Sequence, residues 1–264
     1  MQILTPDGVQ LHAERRGDPS LPALVLLNGM SQSTAHWRTH MRALADRFCV
    51  VAYDGRGQGK STLGPRPFTL GHHVQDLLAV LDHFALERAH LSGFSHGARV
   101  ALAAAAAAPE RVDRLALTSI GTHDDPLRDL ITGSWLELLR LGGLEAMAWA
   151  TLPQILGRAY LDQHAAHAAA MVKATLQRNT LDGLEALVEG LRGFPPPLED
   201  APKVRADTLL LTSDEDLLVS PRAARALADA IEGTEHHVID GVGHTIPIEA
   251  PERWRAHITR FLGD

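Results

Sequence analysis

A short segment with a serine between two glycines is the first candidate for chemistry. Gly93-Phe94-Ser95-His96-Gly97 follows an apolar run typical of a strand and precedes an alanine-rich stretch typical of a helix. Such a turn strains the backbone of its serine, so the flanking positions favour glycine, and the helix end offers free N–H groups to a developing oxyanion. The segment predicts Ser95 as a nucleophile, although taken alone it also fits a plain strand-to-helix turn.

An acidic turn and a histidine follow later in the chain, each after a strand-like run. The turn Asp214-Glu215-Asp216 comes first, and His244 lies after the last such run. A serine hydroxyl is a poor nucleophile at neutral pH, so a base must accept its proton and an acid must orient that base. The order serine, acid, histidine predicts that Ser95, Asp216 and His244 act together. The other two acids of the turn compete with Asp216, and only spacing from the strand disfavours them.

Two backbone amides are candidates for stabilising an oxyanion. One belongs to His96, the residue after the predicted nucleophile. The other belongs to Met30 in the loop Asn28-Gly29-Met30-Ser31, where glycine lets the chain turn tightly. Asn28 and Gly29 are also expected to contact the substrate. The ring of His96 is interpreted as a packing group rather than as the base, because adjacent side chains on a helix point in different directions.

Strand-like and helix-like stretches alternate along the chain and must position these residues. The apolar runs are nearly continuous, which suits strands buried on both faces. Predicted strands cover 23–28, 48–53, 89–93, 112–119, 207–212 and 236–240, and predicted helices cover 34–47, 70–84, 95–108, 221–231 and 251–262. The alternation predicts an α/β fold with a mostly parallel, doubly wound sheet.

One stretch interrupts the alternation. Residues 121–197 contain no strand-like run, are rich in Leu, Ala and His, and end in consecutive prolines that cannot continue a helix. We expect a helical cap at 121–197 between two parts of one core, 1–120 and 198–264. Because ligands bind outside the carboxyl ends of parallel strands, the cap is expected to cover the site, with Trp135 and Trp149 as candidate substrate contacts.

These motifs, together with the segments 53–61 and 241–252, closely resemble the α/β-hydrolase superfamily over nearly the whole chain. Within it, the chain is similar to small esterases, enol-lactonases and acyl-carrier esterases, which carry a helical cap between the sixth and seventh strands. The resemblance implies that Ser95, Asp216 and His244 form a catalytic triad. It also implies that the amides of Met30 and His96 form the oxyanion hole.

Two positions depart from the family pattern. Asn28 stands where many relatives have histidine, and Ala98 with Arg99 follows the serine turn where a second glycine is common. The Asn28 amide can still brace its loop by hydrogen bonding, so this departure is expected to affect substrate preference more than reaction type. Arg99 is interpreted as a surface or salt-bridged arginine rather than as a clamp for a substrate carboxylate.

Composition and charge argue against several other classes. The formal net charge is −7, and Lys and Arg are scattered among acids, which is unlike a nucleic-acid binder. No apolar run is long enough to span a bilayer, and the N-terminal residues do not form a signal peptide. The single cysteine, Cys49, lies in an apolar run, which fits a reducing compartment. We therefore expect a cytoplasmic protein with no membrane or nucleic-acid partner.

Metal and nucleotide sites are also not expected. The spacing of His123, His164 and His167 does not match that of a metal-binding motif, so no metal is predicted. Gly59-Lys60-Ser61 resembles the end of a phosphate-binding loop, but Asp54 stands where that motif needs its first glycine. The predicted chemistry requires no cofactor.

The predicted reaction is hydrolysis of a carboxylic ester of a small or medium acyl substrate through an acyl-enzyme, as in serine esterases of the EC 3.1.1 type. The same triad serves an acyl thioesterase, an acyl-carrier esterase, a lactonase or a cofactor-free perhydrolase, so ester, thioester and carrier-bound substrates all stay open. Dehalogenases and epoxide hydrolases are disfavoured, because they need a carboxylate where Ser95 stands. The alternative outside enzymes is a ligand receptor on a hydrolase scaffold, since fold does not fix function.

Overall fold

A single eight-stranded sheet organises residues 1–263, the part of the chain that the computed structural model describes. The strand order is β1-β2-β4-β3-β5-β6-β7-β8, with β1–β2 and β2–β4 antiparallel and the other pairs parallel. The mostly parallel sheet is as predicted, and the two antiparallel strands at one side of it, β1 and β2, were not predicted. The strands are β1 (Gln2–Leu4), β2 (Gln10–Arg16), β3 (Ala23–Leu27), β4 (Cys49–Tyr53), β5 (Ala89–Phe94), β6 (Val112–Thr118), β7 (Asp207–Ser213) and β8 (Glu235–Ile239).

From β3 onwards, helices occupy the connections between successive strands. One of them, α4, is broken at Gly143, whose φ of 71° lies outside the helical region. None of the helices within residues 1–263 is both long and apolar enough to cross a lipid bilayer. The helices are α1 (Thr34–Leu44), α2 (Leu70–His83), α3 (His96–Ala107), α4 (Pro126–Ile155), α5 (Arg158–His164), α6 (Ala168–Arg178), α7 (Leu181–Gly193), α8 (Pro221–Ala230), α9 (Ile246–Glu249) and α10 (Pro251–Gly263).

Both faces of the sheet are covered by helices. In β3, Leu24 and Leu26 point to the face that packs against α1 and α10, while Val25 and Leu27 point to the face that packs against α2, α3 and α8. All four side chains are at most 2% exposed, as expected for a strand in the middle of a doubly wound sheet. The carboxyl ends of β3, β5, β7 and β8 are thereby held rigidly along one edge.

Between β6 and β7 the chain forms α4 to α7, which we call the helical segment. Side-chain caps fix where two of its helices begin. Asp125 caps α4 ahead of Pro126, and the Thr180 hydroxyl accepts a hydrogen bond from Gly183 N (3.1 Å) at the start of α7. Its apolar side chains pack together with residues from the loops of the sheet, such as Met30 and Leu218. The division of the chain at residues 121 and 197 into core and cap stays a prediction.

Candidate active site

Ser95 lies in the tight turn between β5 and α3. Its φ of 52° is in the left-handed region that a serine rarely adopts, and its backbone N–H donates to Thr118 O at 2.8 Å. A Cβ atom on Gly93 would lie 2.4 Å from Gly97 O, and one on Gly97 would lie 2.4 Å from Leu27 O. Only glycine fits at these two positions, so close packing of β3, β5 and α3 keeps Ser95 in its strained conformation.

A continuous hydrogen-bonded chain links Ser95 to a histidine and an acid. His244 Nε2 lies 2.8 Å from Ser95 Oγ, and His244 Nδ1 lies 2.8 Å from Asp216 Oδ2. The other oxygen of Asp216 accepts backbone N–H groups from Leu218 (2.7 Å) and Val219 (3.1 Å). A carboxylate is an acceptor, so it favours the tautomer with its proton on Nδ1 and leaves Nε2 free to accept from the serine hydroxyl. The structure thus brings the three predicted residues together.

The two competing acids of the turn have other partners. Asp214 Oδ1 accepts the backbone N–H of Gly241 at 2.7 Å, and Glu215 Oε2 accepts the backbone N–H of Arg158 at the start of α5. Both carboxylates fasten loops, and Asp216 alone of the three faces His244. Hydrogen bonding therefore separates acids that sequence spacing could not distinguish.

Gln58 orients the loop that carries Met30. Its side-chain Nε2 donates to Gly29 O (2.7 Å) and to Met30 O (2.8 Å), and its Oε1 accepts from Gly55 N. In a trans peptide the C=O and N–H point in opposite directions, so the Met30 N–H points away from Gln58. Among residues 1–263 this amide has no acceptor, and Met30 borders the same cavity as Ser95. Sequence reasoning missed Gln58, which lies 28 residues from Met30 in the chain.

The amide of His96 is oriented by the helix that follows it. Ser95 O accepts the N–H of Arg99 at 3.1 Å, so the peptide between Ser95 and His96 is aligned with α3 and its N–H points out of the helix N-terminus. The described part of the chain offers this amide no acceptor. Burial and the nearby charge of Arg99 lower the pKa of His96 to about 4, and its ring packs against His73 with centroids 4.8 Å apart. A neutral, buried ring fits packing rather than proton transfer.

Arg99 itself is directed away from the cavity. It is fully buried and pairs with Asp200 at 2.8 Å, while its Nη2 donates to Pro195 O at 2.9 Å. This arginine is therefore salt-bridged but not on the surface. It fastens α3 to the stretch that follows the helical segment.

Glu249 holds the loop of His244. Its Oε2 accepts N–H groups from Gly243 (3.1 Å) and from Gly157 (2.7 Å), and its Oε1 accepts from Thr245 N (3.0 Å). The amides on both sides of His244 and one amide of the helical segment thus share a single carboxylate. Sequence reasoning included Glu249 in a family-like segment but gave it no role, because its partner Gly157 is 92 residues away.

The expected substrate contacts Asn28 and Gly29 do not line the cavity. Asn28 Nδ2 donates to Tyr53 O at 2.8 Å, and its Oδ1 accepts from Trp37 Nε1 at 2.7 Å, so both ends of the side-chain amide are hydrogen-bonded inside the core. The N–H of Gly29 is bonded to Gln32 Oε1 at 3.1 Å. Both residues brace the loop rather than face the cavity, because their polar groups are already satisfied by buried partners.

The two tryptophans of α4 have different surroundings. Trp135 is 4% exposed, lines the cavity and donates from Nε1 to Gln154 Oε1. Trp149 is 45% exposed and does not line the cavity, contrary to expectation. The break at Gly143 separates the two residues, and apolar content alone cannot tell which face a residue occupies after such a break.

A cavity of about 310 Å³ lies over Ser95 and is walled on the far side by the helical segment. Within residues 1–263, no three His, Cys, Asp or Glu side chains are arranged to hold a metal ion. Most of the lining is apolar, which suits the carbon skeleton of a small organic molecule. The apolar lining comprises Met30, Phe94, Ile120, Trp135, Met147, Ala148, Leu152, Ile155, Leu156, Met171, Ala174, Leu191, Leu218, Val219 and Ile248.

A serine on the turn after β5, an acid after β7 and a histidine after β8 define the class of α/β hydrolases. Comparison with known families agrees, because residues 22–251 match the model of the alpha/beta hydrolase fold. The chain belongs to the α/β-hydrolase family.

Individual relatives match over almost the full length of the chain. A protein of Caulobacter sp. (strain K31), provisionally named carbamate hydrolase RutD, is 30% identical to this chain. The match covers 99% of this chain and 98% of that protein. The enol-lactonase from Burkholderia xenovorans LB400 has the same fold, with a TM-score of 0.91 at 24% identity and full coverage of both chains. A thermophilic esterase from Thermogutta terrifontis is similar with a TM-score of 0.87 at 26% identity, covering 99% of this chain and 97% of the other.

Proposed function

We propose that this chain is a serine hydrolase that cleaves a carboxylic ester of a small or medium acyl substrate through an acyl-enzyme. The observation that carries the proposal is the unbroken line of contacts from Ser95 Oγ through His244 to Asp216, at 2.8 Å for each link. Hydrolase chemistry is common to the family, and we assign an ester as the bond that is cleaved.

In the proposed reaction, His244 Nε2 takes the proton of Ser95 Oγ as the oxygen attacks the ester carbonyl. Asp216 keeps the imidazole oriented and stabilises the imidazolium that forms. The amides of Met30 and His96 donate to the oxyanion of the tetrahedral intermediate. The intermediate collapses as His244 returns the proton to the leaving alkoxide, and a water activated by His244 then hydrolyses the acyl-enzyme.

The size of the cavity supports a small or medium substrate. A volume of about 310 Å³ is near the lower end of the range for ligand pockets. A lactone, an acyl thioester and a carrier-bound acyl group all present a carbonyl to the same groups, so they stay alternatives. A cofactor-free perhydrolase, in which hydrogen peroxide takes the place of the hydrolytic water, also stays an alternative. Cleavage of a carbamate is a second candidate, favoured by the name of the full-length relative from Caulobacter.

The lone, buried Cys49 supports the further proposal that the protein is cytoplasmic.

The test is a panel of p-nitrophenyl esters, acyl thioesters, lactones and carbamates, combined with covalent labelling by a fluorophosphonate. We expect turnover on short or medium esters and labelling of one serine. Ser95→Ala should abolish both, while Ser31→Ala, which removes another serine that lines the cavity, should still be labelled. Turnover at wild-type level in pure, folded Ser95→Ala would overturn the proposal.

The same panel separates an enzyme from a receptor built on this scaffold. An enzyme turns over many substrate molecules for each active site. A receptor would show stoichiometric labelling of Ser95 with no turnover on any member of the panel, and that result would favour the ligand receptor.

A further inference from the structure

Two arginines line the cavity that contains Ser95. Arg128 comes from the first turn of α4 and Arg178 from the last residue of α6. Of the residues that the structure describes, none with a carboxylate lines this cavity. A mostly apolar cavity that holds positive charge and no negative charge is suited to a ligand with an anionic group.

The two arginines differ in how they are partnered. Arg128 Nη1 lies 3.1 Å from Asp129 Oδ1, and its Nη2 donates to Leu191 O at 3.4 Å. Arg178 has no carboxylate oxygen within 4.0 Å in the stretch 1–263, and its hydrogen-bond contact there is with His36 Nε2, at 3.2 Å. Within residues 1–263, Arg178 is therefore the one of the pair whose positive charge has no counter-charge.

A structural role at the end of α6 does not account for Arg178. An arginine in the last turn of a helix can bond the terminal carbonyls. Here Asn179 Nδ2 does so, since it donates to Thr175 O (2.9 Å) and also to Ser31 O (3.1 Å). Arg178 is half-buried and is directed to the cavity instead.

His36 orients the guanidinium of Arg178 without cancelling its charge. Burial and the charge of Arg178 lower the pKa of His36 to about 4, so the ring is neutral at ordinary pH. His36 Nδ1 lies 3.1 Å from Ser33 N and 3.2 Å from Ser33 O, so it has a backbone partner in either tautomer. A guanidinium only donates, so the contact of Arg178 with Nε2 (3.2 Å) selects the tautomer with its proton on Nδ1, which donates to Ser33 O. One N–H group of the guanidinium is then fixed, and the others are free for a ligand.

We propose that the substrate carries a carboxylate in addition to the bond that is cleaved, and that Arg178, positioned by His36, binds this carboxylate. The proposal rests on the proposed serine-hydrolase function and narrows its substrate class. Arg178 is adjacent to Asn179, which is bonded to the loop that carries Met30. A carboxylate held there orients the carbon skeleton in the cavity relative to the oxyanion amides.

The first experiment compares matched pairs of esters. The p-nitrophenyl monoesters of glutaric, adipic and suberic acid are each paired with the ester in which an isopropyl group replaces the free carboxylate. We expect the wild type to prefer the anionic member of at least one pair in kcat/KM, and Arg178→Gln to lower this preference about 10- to 100-fold while it still hydrolyses the neutral member. Arg178→Lys should restore part of the preference.

Two variants serve as controls for charge. Arg158→Gln removes an exposed arginine of the same helical segment that does not line the cavity, and it should leave the preference unchanged. Arg128→Gln should lower the preference less than Arg178→Gln does, because Asp129 already pairs with Arg128. An equal or larger loss in Arg128→Gln, or a wild type that prefers the neutral member of every pair, would overturn the assignment to Arg178.

A second experiment needs no turnover. Calorimetric titration of Ser95→Ala with monomethyl adipate, monomethyl glutarate and monomethyl suberate measures the binding of each carboxylate-bearing ester in the absence of hydrolysis. We expect Kd for the tightest of them to rise about 10- to 100-fold when Arg178→Gln is added. An unchanged Kd would overturn this proposal. Failure of the serine-hydrolase proposal would appear separately, as the absence of Ser95 labelling and of turnover on both members of every pair.

Discussion

The loops at the carboxyl edge of the sheet and the helical segment meet at one cavity, but they are held in different ways. Ser95, Asp216 and His244 lie on loops whose backbone amides are bonded to fixed acceptors, such as the buried Thr118 O and the half-buried carboxylate of Glu249. The helical segment packs its apolar side chains mainly between its own helices. The first region therefore fixes the geometry of reaction, and the second shapes the space for substrate. Substitutions in the two regions should differ in what they change.

The largest expected contrast is between two acids of one turn. Asp216→Asn should lower kcat about 10³- to 10⁴-fold, because the amide can no longer stabilise the imidazolium or hold the reactive tautomer of His244. Asp214→Asn should lower kcat less than about tenfold, because its carbonyl can still accept from Gly241. Steady-state kinetics on the best ester checks both. Equal losses in the two variants would contradict the division of roles within this turn.

A second contrast concerns two glycines. In Gly97→Ala the new methyl would lie 2.4 Å from Leu27 O, so β3 and α3 must separate, and we expect a loss of more than about 3 kcal/mol in the free energy of unfolding. Gly143→Ala in the helical segment meets no described atom within 4 Å and is strained only by its φ of 71°, which costs about 1 to 3 kcal/mol. Urea unfolding measures both. A larger loss for Gly143→Ala would reverse the comparison.

Two glutamines provide a third contrast. Gln58→Ala removes both donors that fix Gly29 O and Met30 O, and we expect kcat to fall about 10- to 100-fold because the oxyanion amide is no longer held. Gln154→Ala removes the partner of Trp135 in the helical segment and should raise KM severalfold with kcat within about twofold. If Gln58→Ala changed KM alone, the loop of Met30 would not be part of the reaction geometry.

The expected effect that is smallest per step of the measurement is on the pH dependence of stability. Burial and Arg255 lower the pKa of His40 to about 4 in the folded chain, so below pH 6.5 the unfolded chain binds a proton that the folded chain does not. Stability should fall as the pH drops from 6.5 to 4, with a contribution from His40 of up to about 1.4 kcal/mol per pH unit. Urea unfolding at pH 7, 6 and 5 should show a shallower slope for His40→Gln.

His167→Gln is the matched control for that measurement, because His167 is exposed in the helical segment and the substitution should leave the slope unchanged. A slope of opposite sign in the wild type would contradict the buried, neutral state of His40.

Elements with a strong local signal could be predicted from the sequence. The central strands β3 to β7 are short apolar runs, and each was predicted to within a residue at either end. The two antiparallel strands were missed because β2 alternates buried and more exposed positions and carries four charged or histidine residues, while β1 has three residues. A strand that buries one face has a composition closer to that of a loop than a strand buried on both faces.

The site divides in the same way. Motifs indicated Ser95, His244 and the acidic turn because short spacing on one loop determines where such residues can point. Gln58, Glu249 and Arg178 could not be found in this way, because no motif assigns a role to their residue types and spacing. Their contacts, with partners between 28 and 142 residues distant, arise only in the fold. Such pairs are created by the packing of whole elements, and no local pattern marks them.

The contact between Gly157 and Gly243 limits how the helical segment can diverge. A Cβ on Gly243 would lie 2.3 Å from Gly157 N, and one on Gly157 would lie 2.5 Å from Gly243 N. Neither position can accept a side chain unless the loop of His244 moves. Engineered changes of specificity should therefore be placed within α4, α6 or α7, whereas the junction between α4 and α5 must stay small and in register with Glu249. Insertions at this junction would cost reactivity before they altered the choice of substrate.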